Sequence, residues 1–305
     1  MHLPPHGLLC TGSHWRANGE AFLTLTDAAG HESEVPLPLG ERLAWSTRGP
    51  RRCVGIRHAR RTKRLMCPLG ASVAETATSS QCPSCSAADP SGAIARDATP
   101  EDPRPYRMYL AWFAPGVLKI GITAAARDRT RLLEQAAIGY TWLAEGALLA
   151  TRRAEQHAIG VGLKDRIPNG TKIAAWPGIL EAGHGGPELE AAHRTLVGSP
   201  GWGEGLARLP IEIQDLRPVY GLNQVLPGIL DAVTGLNGEV TMDAGLVARA
   251  GHNVLLASAP ELGYLLDLRL LEGWILTPPR PGPSRPPGVR RVNEPEAEAV
   301  DQPLF

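Results

Sequence analysis

Four cysteines between residues 53 and 85 are the first residues in this chain whose type and spacing suggest chemistry. Cys82-Pro83-Ser84-Cys85 is a C-x2-C knuckle, a turn tight enough for two thiolates to meet one tetrahedral zinc at ~2.3 Å. Cys53 and Cys67 would approach across a loop to complete the set, since there is no second knuckle, and His58 is an alternative ligand. A closed set of four leaves no open coordination position, so the zinc it implies is structural. Free thiols in a linker are the competing reading. A redox role for the knuckle lacks the βαβ pattern that would surround it. Cys10, alone near the N-terminus, reads as a small buried hydrophobe.

The same stretch carries Arg51, Arg52, Arg57, Arg60, Arg61, Lys63 and Arg64, with His58 among them and no acid. A cationic loop clipped by a metal suits a phosphate backbone, because each Lys or Arg that neutralises a phosphate releases counterions. Arg57, Arg60, Arg61, Lys63 and Arg64 are therefore candidate contacts to DNA or RNA. The plainer alternative is a solvated charged loop.

Downstream, Met108 to Phe113 reads as a strand, Pro115-Gly116 as a turn and Val117 to Thr123 as a second strand, with an Arg-studded helix after it. This unit resembles the GIY-YIG nuclease superfamily, which pairs a first-strand Tyr with a second-strand YIG, then places an Arg on the next helix and a metal-binding Glu further on. Tyr109 matches the first Tyr, and Lys119-Ile120-Gly121 occupies the YIG position with Lys in place of the second Tyr. Arg131 would be the helix Arg, with Arg127 and Arg129 as neighbours. Glu155 is the acid best placed by order in the chain, although the superfamily's Glu falls where this chain has Ile159. More closely, KIGIT followed by R-x-x-[DE]-Q-x-A, with a Cys-rich segment upstream, resembles a bacterial family, domain of unknown function 2797, over roughly Arg52 to Gly273. That resemblance implies a zinc-ribbon-like N-terminal part and a GIY-YIG-like core.

Hydrolysis of a phosphodiester needs an activated water, a cation on the phosphoryl oxygens and a positive group for the developing charge. The resemblance implies that Tyr109 positions or deprotonates the water with Lys119 beside it. Arg131 would neutralise a phosphate oxygen, and Glu155 would hold Mg or Mn through a hard oxygen ligand. Blander readings stand beside these: Tyr109 as strand packing, Lys119 snorkelling from a strand edge, Arg131 and Glu134 as an i, i+3 pair, and Glu155 as a solvated helix carboxylate. Asn169 fits an Asn of the family's pattern loosely and is equally good turn chemistry. His157 is a candidate proton shuttle or a structural histidine. Neither a P-loop nor a Rossmann fingerprint occurs.

The elements that must hold these residues read as an α+β chain. At 305 residues with 43% hydrophobic content there is room for about two domains and a sizeable core. Residues 1–49 are β-rich, in GLLCTG, AFLTLTDAAG and EVPLPLGERLAW. Residues 50–100 form the zinc-ribbon-like segment, too poor in apolar residues to keep its shape without a staple. Residues 104–205 form the GIY-YIG-like core, a small antiparallel sheet with helices, and 206–277 a C-terminal β-rich domain. Residues 278–305, dense in Pro and charge, are expected to be a disordered tail. The β-rich ends are expected to pack as separate small sheets or barrels. Within the core, Leu143, Leu148, Ile159 and Leu163 recur with amphipathic spacing, and residues 187–205 read as a further helix.

Formal net charge is zero, so no global field draws the chain toward nucleic acid or an anionic membrane. No apolar run approaches the ~18 residues of a membrane span, and the opening residues lack a signal-peptide pattern. A cytoplasmic protein with no membrane partner is expected. The function expected is a zinc-binding protein that contacts nucleic acid through a GIY-YIG-like core, with no catalysis or weak catalysis. The alternatives are a divalent-cation-dependent endonuclease and a protein-interaction module using the C-terminal sheet and the Pro-rich tail.

Overall fold

Alternating burial along the strands organises this chain, and a computed structural model describes it for residues 3–56, 64–89, 102–259, 261–281 and 288–292. The N-terminal strands are β1 (Leu8–Trp15), β2 (Ala21–Thr26), β3 (Glu32–Pro36) and β4 (Arg42–Arg48). The hairpin is β5 (Tyr106–Ala114) and β6 (Val117–Ala124), followed by β7 (Gly139–Gly146) and the two-residue strands β8 (Ala207–Arg208) and β9 (Gln214–Asp215). The C-terminal strands are β10 (Ile229–Gly235), β11 (Thr241–Ala250), β12 (Asn253–Ala259), β13 (Leu262–Asp267), β14 (Ile275–Thr277) and β15 (Gly288–Arg291). In β11 the period of two is plain, because Met242, Ala244, Leu246, Ala248 and Ala250 are buried while the residues between them are half-buried.

Among the described residues the strands form two sheets. The larger runs β15-β10-β13-β12-β11-β4-β14-β1-β2-β3, and the smaller runs β6-β5-β7-β8 with β9 also on β7. The N-terminal and C-terminal strands therefore do not pack as separate sheets. The short β14 lies between β1 and β4, with Leu276 opposite both Leu8 and Thr47, and β11 places Met242 opposite Trp45. A three-residue strand leaves little local pattern to read, and its partners lie more than two hundred residues away. The tail expectation needs correcting too: β15 pairs antiparallel with β10, and Val292 N donates to Leu230 O at 2.8 Å. The rest of that tail lies outside the described residues.

In the smaller sheet β5 is central and buried on both faces, with every residue from Met108 to Phe113 at most 1% exposed. The helix Leu148–Gly160 turns Leu148, Ala150, Thr151, Ala154 and Ala158 inward, and the helix Gly186–Val197 buries Leu189, His193 and Leu196. Trp112 Nε1 donates to Glu188 Oε1 at 3.0 Å, which ties that second helix to β5. Leu143 sits in β7 rather than in a helix, where Tyr140, Thr141 and Trp142 supply the aromatic and β-branched content a strand favours. The further helix stops at Val197, short of the expected residue 205. Both sheets share one continuous core, which includes Trp45, Trp112, Trp176, Trp202 and Trp274.

The cysteine segment is anchored to the larger sheet by two arginines that face inward. Arg51 donates to the carbonyls of Glu272 (2.8 Å), Ala77 (2.6 Å) and Ala74 (3.2 Å). Arg64, its side chain 7% exposed, pairs with Glu32 at 3.0 Å and donates to the carbonyls of Val54 and Thr11. Arg64 is therefore a structural cation and does not face a phosphate backbone. A guanidinium turned inward looks the same in sequence as one turned out. Arg64→Met removes one side of a buried pair and is expected to lower the unfolding free energy by about 3 kcal/mol in urea titrations. Arg52→Met, at an exposed position, should change it by less than about 0.5 kcal/mol.

Candidate functional site

Cys53, Cys67, Cys82 and Cys85 come together with all four Sγ atoms within 4.8 Å of one another. Tetrahedral zinc with ~2.3 Å bonds requires sulfurs ~3.8 Å apart, and Cys67 Sγ lies 3.9 Å from Cys82 Sγ. The donor set fits the ion. All four thiols are free, and Cys53 Sγ accepts from the backbone N–H of Cys82 (3.2 Å) and Gly55 (3.4 Å), as a metal-bound thiolate would. The Pro83–Ala88 helix starts directly after Cys82, with Pro83 in its first turn, and this turn brings Cys85 back onto the same point. Hydrogen bonding from the Ala71 backbone pulls the Cys67 thiol down to about 7, while burial pushes Cys53 and Cys85 up.

Cys53, Cys82 and Cys85 form a small apolar cluster of their own with Ile56, Ala71 and Val73, apart from the main core. With so little apolar surface, a metal on the four sulfurs would add to the hold that Arg51 and Arg64 give this segment. Cys10 is fully buried instead, its thiol pushed up to about 12 by burial, and takes no part. His58 lies outside the described residues, as do Arg57, Arg60, Arg61 and Lys63.

The second cluster sits on the hairpin. Tyr109 on β5 stands opposite Gly121 on β6, and its ring lies across that glycine. A Cβ at Gly121 would fall 2.5 Å from Tyr109 Cζ and nearer still to the hydroxyl, so only Gly lets the ring lie there. Lys119 Nζ is 5.7 Å from the Tyr109 ring centroid. Burial pushes the Tyr109 phenol above its ordinary value, with the nearby Arg131 guanidinium working in the opposite direction. Burial pulls Lys119 down to about 8, helped by repulsion from Arg131 and opposed by Glu155 and Asp165. Tyr109 and Lys119 thus each lie within electrostatic reach of both Arg131 and Glu155, although the four come from positions between 109 and 155 of the sequence.

Arg131 and Glu155 also line a cleft of about 710 Å³ with Arg104, Arg127, Arg152 and Thr123. Arg131 is 3.8 Å from Glu134, the i, i+3 contact, but Glu134 binds Arg127 more tightly, at 2.6 and 2.7 Å. One carboxylate therefore serves two guanidiniums. Thr123 is 5% exposed, and its Oγ1 has no hydrogen-bond partner.

Other candidates turn out to be structural. Asn169 exchanges hydrogen bonds with Asn253 (3.2 and 3.0 Å), which fastens the Asn169–Ala174 helix to β12. His157 Nε2 meets Ser199 Oγ at 2.9 Å, and Arg129 Nε donates to Ala17 O at 2.6 Å. Gln135 and Lys172 escaped the sequence reading. Gln135 Nε2 donates to Tyr109 OH at 3.0 Å, and the only signal for it was its place in the R-x-x-[DE]-Q-x-A pattern. Among the described residues no other group of three His, Cys, Asp or Glu is close enough to form a ready-made metal cage. Glu155 would hold a hard cation only with water and a phosphate oxygen to complete the shell, as Mg commonly does.

The protein family described as "Protein of unknown function (DUF2797)" matches residues 40–276, well over half of the chain, and the chain belongs to that family. No curated protein and no solved structure matches it. No helix among the described residues is long and apolar enough to cross a membrane.

Two outcomes are expected. Elemental analysis should find one zinc per chain, and Cys85→Ser should release it and increase hydrogen exchange over residues 64–89 while β5 and β6 stay protected. The second concerns Lys119, whose folded pKa of about 8 lies below the unfolded value. Between those values the unfolded chain holds the extra proton, so this lysine's penalty is full below about pH 8 and fades as pH rises toward about 10. Denaturation of wild type and Lys119→Met at both ends should show the stability difference moving by roughly 1–3 kcal/mol in favour of wild type.

Proposed function

We propose that this DUF2797 protein binds nucleic acid by its phosphodiester backbone at the hairpin, with hydrolysis slow or absent. The observation that carries this reading is the convergence of Tyr109, Lys119, Arg131 and Glu155 beside one arginine-lined cleft. The order of the elements, the β5 and β6 hairpin, the short Thr130–Glu134 helix with Arg131, β7, then the Leu148–Gly160 helix with Glu155, is the support this reading draws from the fold. Lys119 and Arg131 supply the positive charge that phosphoryl oxygens need, and the Tyr109 hydroxyl, held by Gln135, offers a fixed contact. Zinc on the four cysteines would steady the described residues that flank the basic segment, Arg51 and Arg64 among them. Arg57, Arg60, Arg61 and Lys63 are its proposed backbone contacts.

Slow hydrolysis follows from the proton inventory. Burial keeps the Tyr109 phenol protonated at neutral pH, so it orders a water better than it deprotonates one. Lys119 is the member of the quartet that sheds a proton near neutral pH, yet an amine holding a phosphate keeps its proton. A divalent cation at Glu155, where present, would supply Lewis acidity on the phosphoryl oxygen. The endonuclease reading therefore stands second, supported by the same convergence.

Incubating zinc-loaded protein with single- and double-stranded DNA and RNA, with and without Mg or Mn, separates the two. Binding is expected to weaken steeply with salt, and Arg131→Ala should weaken it about tenfold without loss of fold. Cleavage that requires Mg or Mn and disappears in Glu155→Gln and Tyr109→Phe would move the endonuclease reading to the front. Unchanged binding in Arg131→Glu would overturn the nucleic-acid reading and favour the protein-interaction module.

A further inference from the structure

Lys172, on the Asn169–Ala174 helix, faces the same strand of the hairpin as Lys119 does. Its Nζ donates to Gln135 O at 2.6 Å and lies 4.7 Å from the Phe113 ring centroid, while Lys119 Nζ lies over Tyr109. Tyr109 and Phe113 are four residues apart on β5 and so share one face of the sheet. Gln135 links the two ends, giving its side-chain amide to Tyr109 and its carbonyl to Lys172. The reciprocal Asn169 and Asn253 pair holds the Lys172 helix against the larger sheet, so the lysine is presented from a fixed support.

This arrangement is short of negative charge. Neither Lys119 nor Lys172 has a carboxylate within ion-pair reach among the described residues, although both are largely buried. Burial, then repulsion from Lys119 and Arg131, pulls Lys172 down to about 8. Gln135 Oε1 is buried without a partner, and exchanging the amide's oxygen and nitrogen would only move the unmet group to the other atom. Three cations and an unmet amide end thus gather at one sheet face, with Glu155 and Asp165 the acids that act on Lys119 and Glu134 shared by Arg131.

We infer that Lys119, Lys172 and Arg131 form a phosphate clamp beside the cleft that Arg131 and Glu155 line, with Lys172 carrying the charge of Lys119 and Arg131 on toward the next phosphodiester. The inference rests on the nucleic-acid reading for the source of that phosphate. A free polyphosphate carries the same chemistry, and the test separates the two. A bound phosphate gives both ammoniums a counter-charge and three acceptor oxygens. Lys172 is the residue that extends the site beyond a single phosphate.

The test pairs acylation of lysines, read by mass spectrometry, with salt-dependent binding of a single-stranded oligonucleotide, using inorganic tripolyphosphate as the second probe. Lys119 and Lys172 should be protected by either probe. Lys172→Gln should weaken oligonucleotide binding roughly threefold to tenfold and reduce the slope of log affinity against log salt by about 0.7–0.9. Lys172→Arg should retain both, which separates a lost charge from a lost fold. If the oligonucleotide binds but Lys172 is neither protected nor reflected in the slope, the clamp is wrong and the nucleic-acid reading survives. If tripolyphosphate protects both lysines and no oligonucleotide binds, the clamp stands and the nucleic-acid reading falls. Protection by neither probe, with no oligonucleotide bound, overturns both.

Discussion

The candidate site depends on one close approach, the Tyr109 ring lying over the bare backbone of Gly121. A side chain of any size there would drive the ring away, because even a Cβ would come within 2.5 Å of Cζ. With the ring in place, the hydroxyl reaches Gln135, Lys119 has an aromatic face to lie over, and β5 keeps both faces covered at the centre of its sheet. The glycine of KIGIT is therefore explained by packing. It permits the contact that sets the geometry around Tyr109, while Arg131, Glu155 and Lys172 are brought to it by three separate helices.

Two regions of the molecule hold their shape by different means. The hairpin module relies on burial, with Met108, Leu110, Ala111, Trp112 and Ile120 wholly enclosed. The cysteine segment has only a few small apolar groups, and its order rests on a tetrahedron of sulfurs plus backbone contacts to the larger sheet. Arg51 and Arg64 supply much of that second connection by turning inward to carbonyls and to Glu32. A cation used this way fixes the segment on its support.

The extent to which sequence revealed these features follows from how local each one is. The C-x2-C knuckle and the Pro115-Gly116 hairpin are written in adjacent residues, and both stand where spacing and alternation place them. Tyr109, Lys119, Arg131 and Glu155 were found only because a resemblance supplied their roles, since nothing in their spacing alone links them. The single large sheet was not legible, because β14 is three residues long and its neighbours come from the far end of the chain. The strand in the Pro-rich tail was hidden by composition: Gly288–Arg291 gains its order by pairing with β10 rather than from its own sequence. Gln135 and Lys172 matter through contacts across the sheet, which no local pattern encodes.

Net neutrality is compatible with the proposed phosphate site because the charges are distributed unevenly. Arginines across the surface have nearby acids: Arg42 with Asp243, Arg107 with Glu145, Arg217 with Asp215, Arg269 with Asp267 and Arg291 with Asp231. Those pairs cancel one another within a Debye length of about 10 Å and contribute little field at distance. Lys119 and Lys172 are exceptions, largely enclosed and without such partners, and Arg131 has only a share of Glu134. Among the described residues this cluster sets largely enclosed cations side by side at the hairpin sheet. In that low-dielectric setting an anion is worth more than it would be on an open basic surface. The lysine that stands where the resemblance has a tyrosine changes the site in the same direction: it adds charge for holding a phosphate and removes a hydroxyl from the chemistry of breaking one.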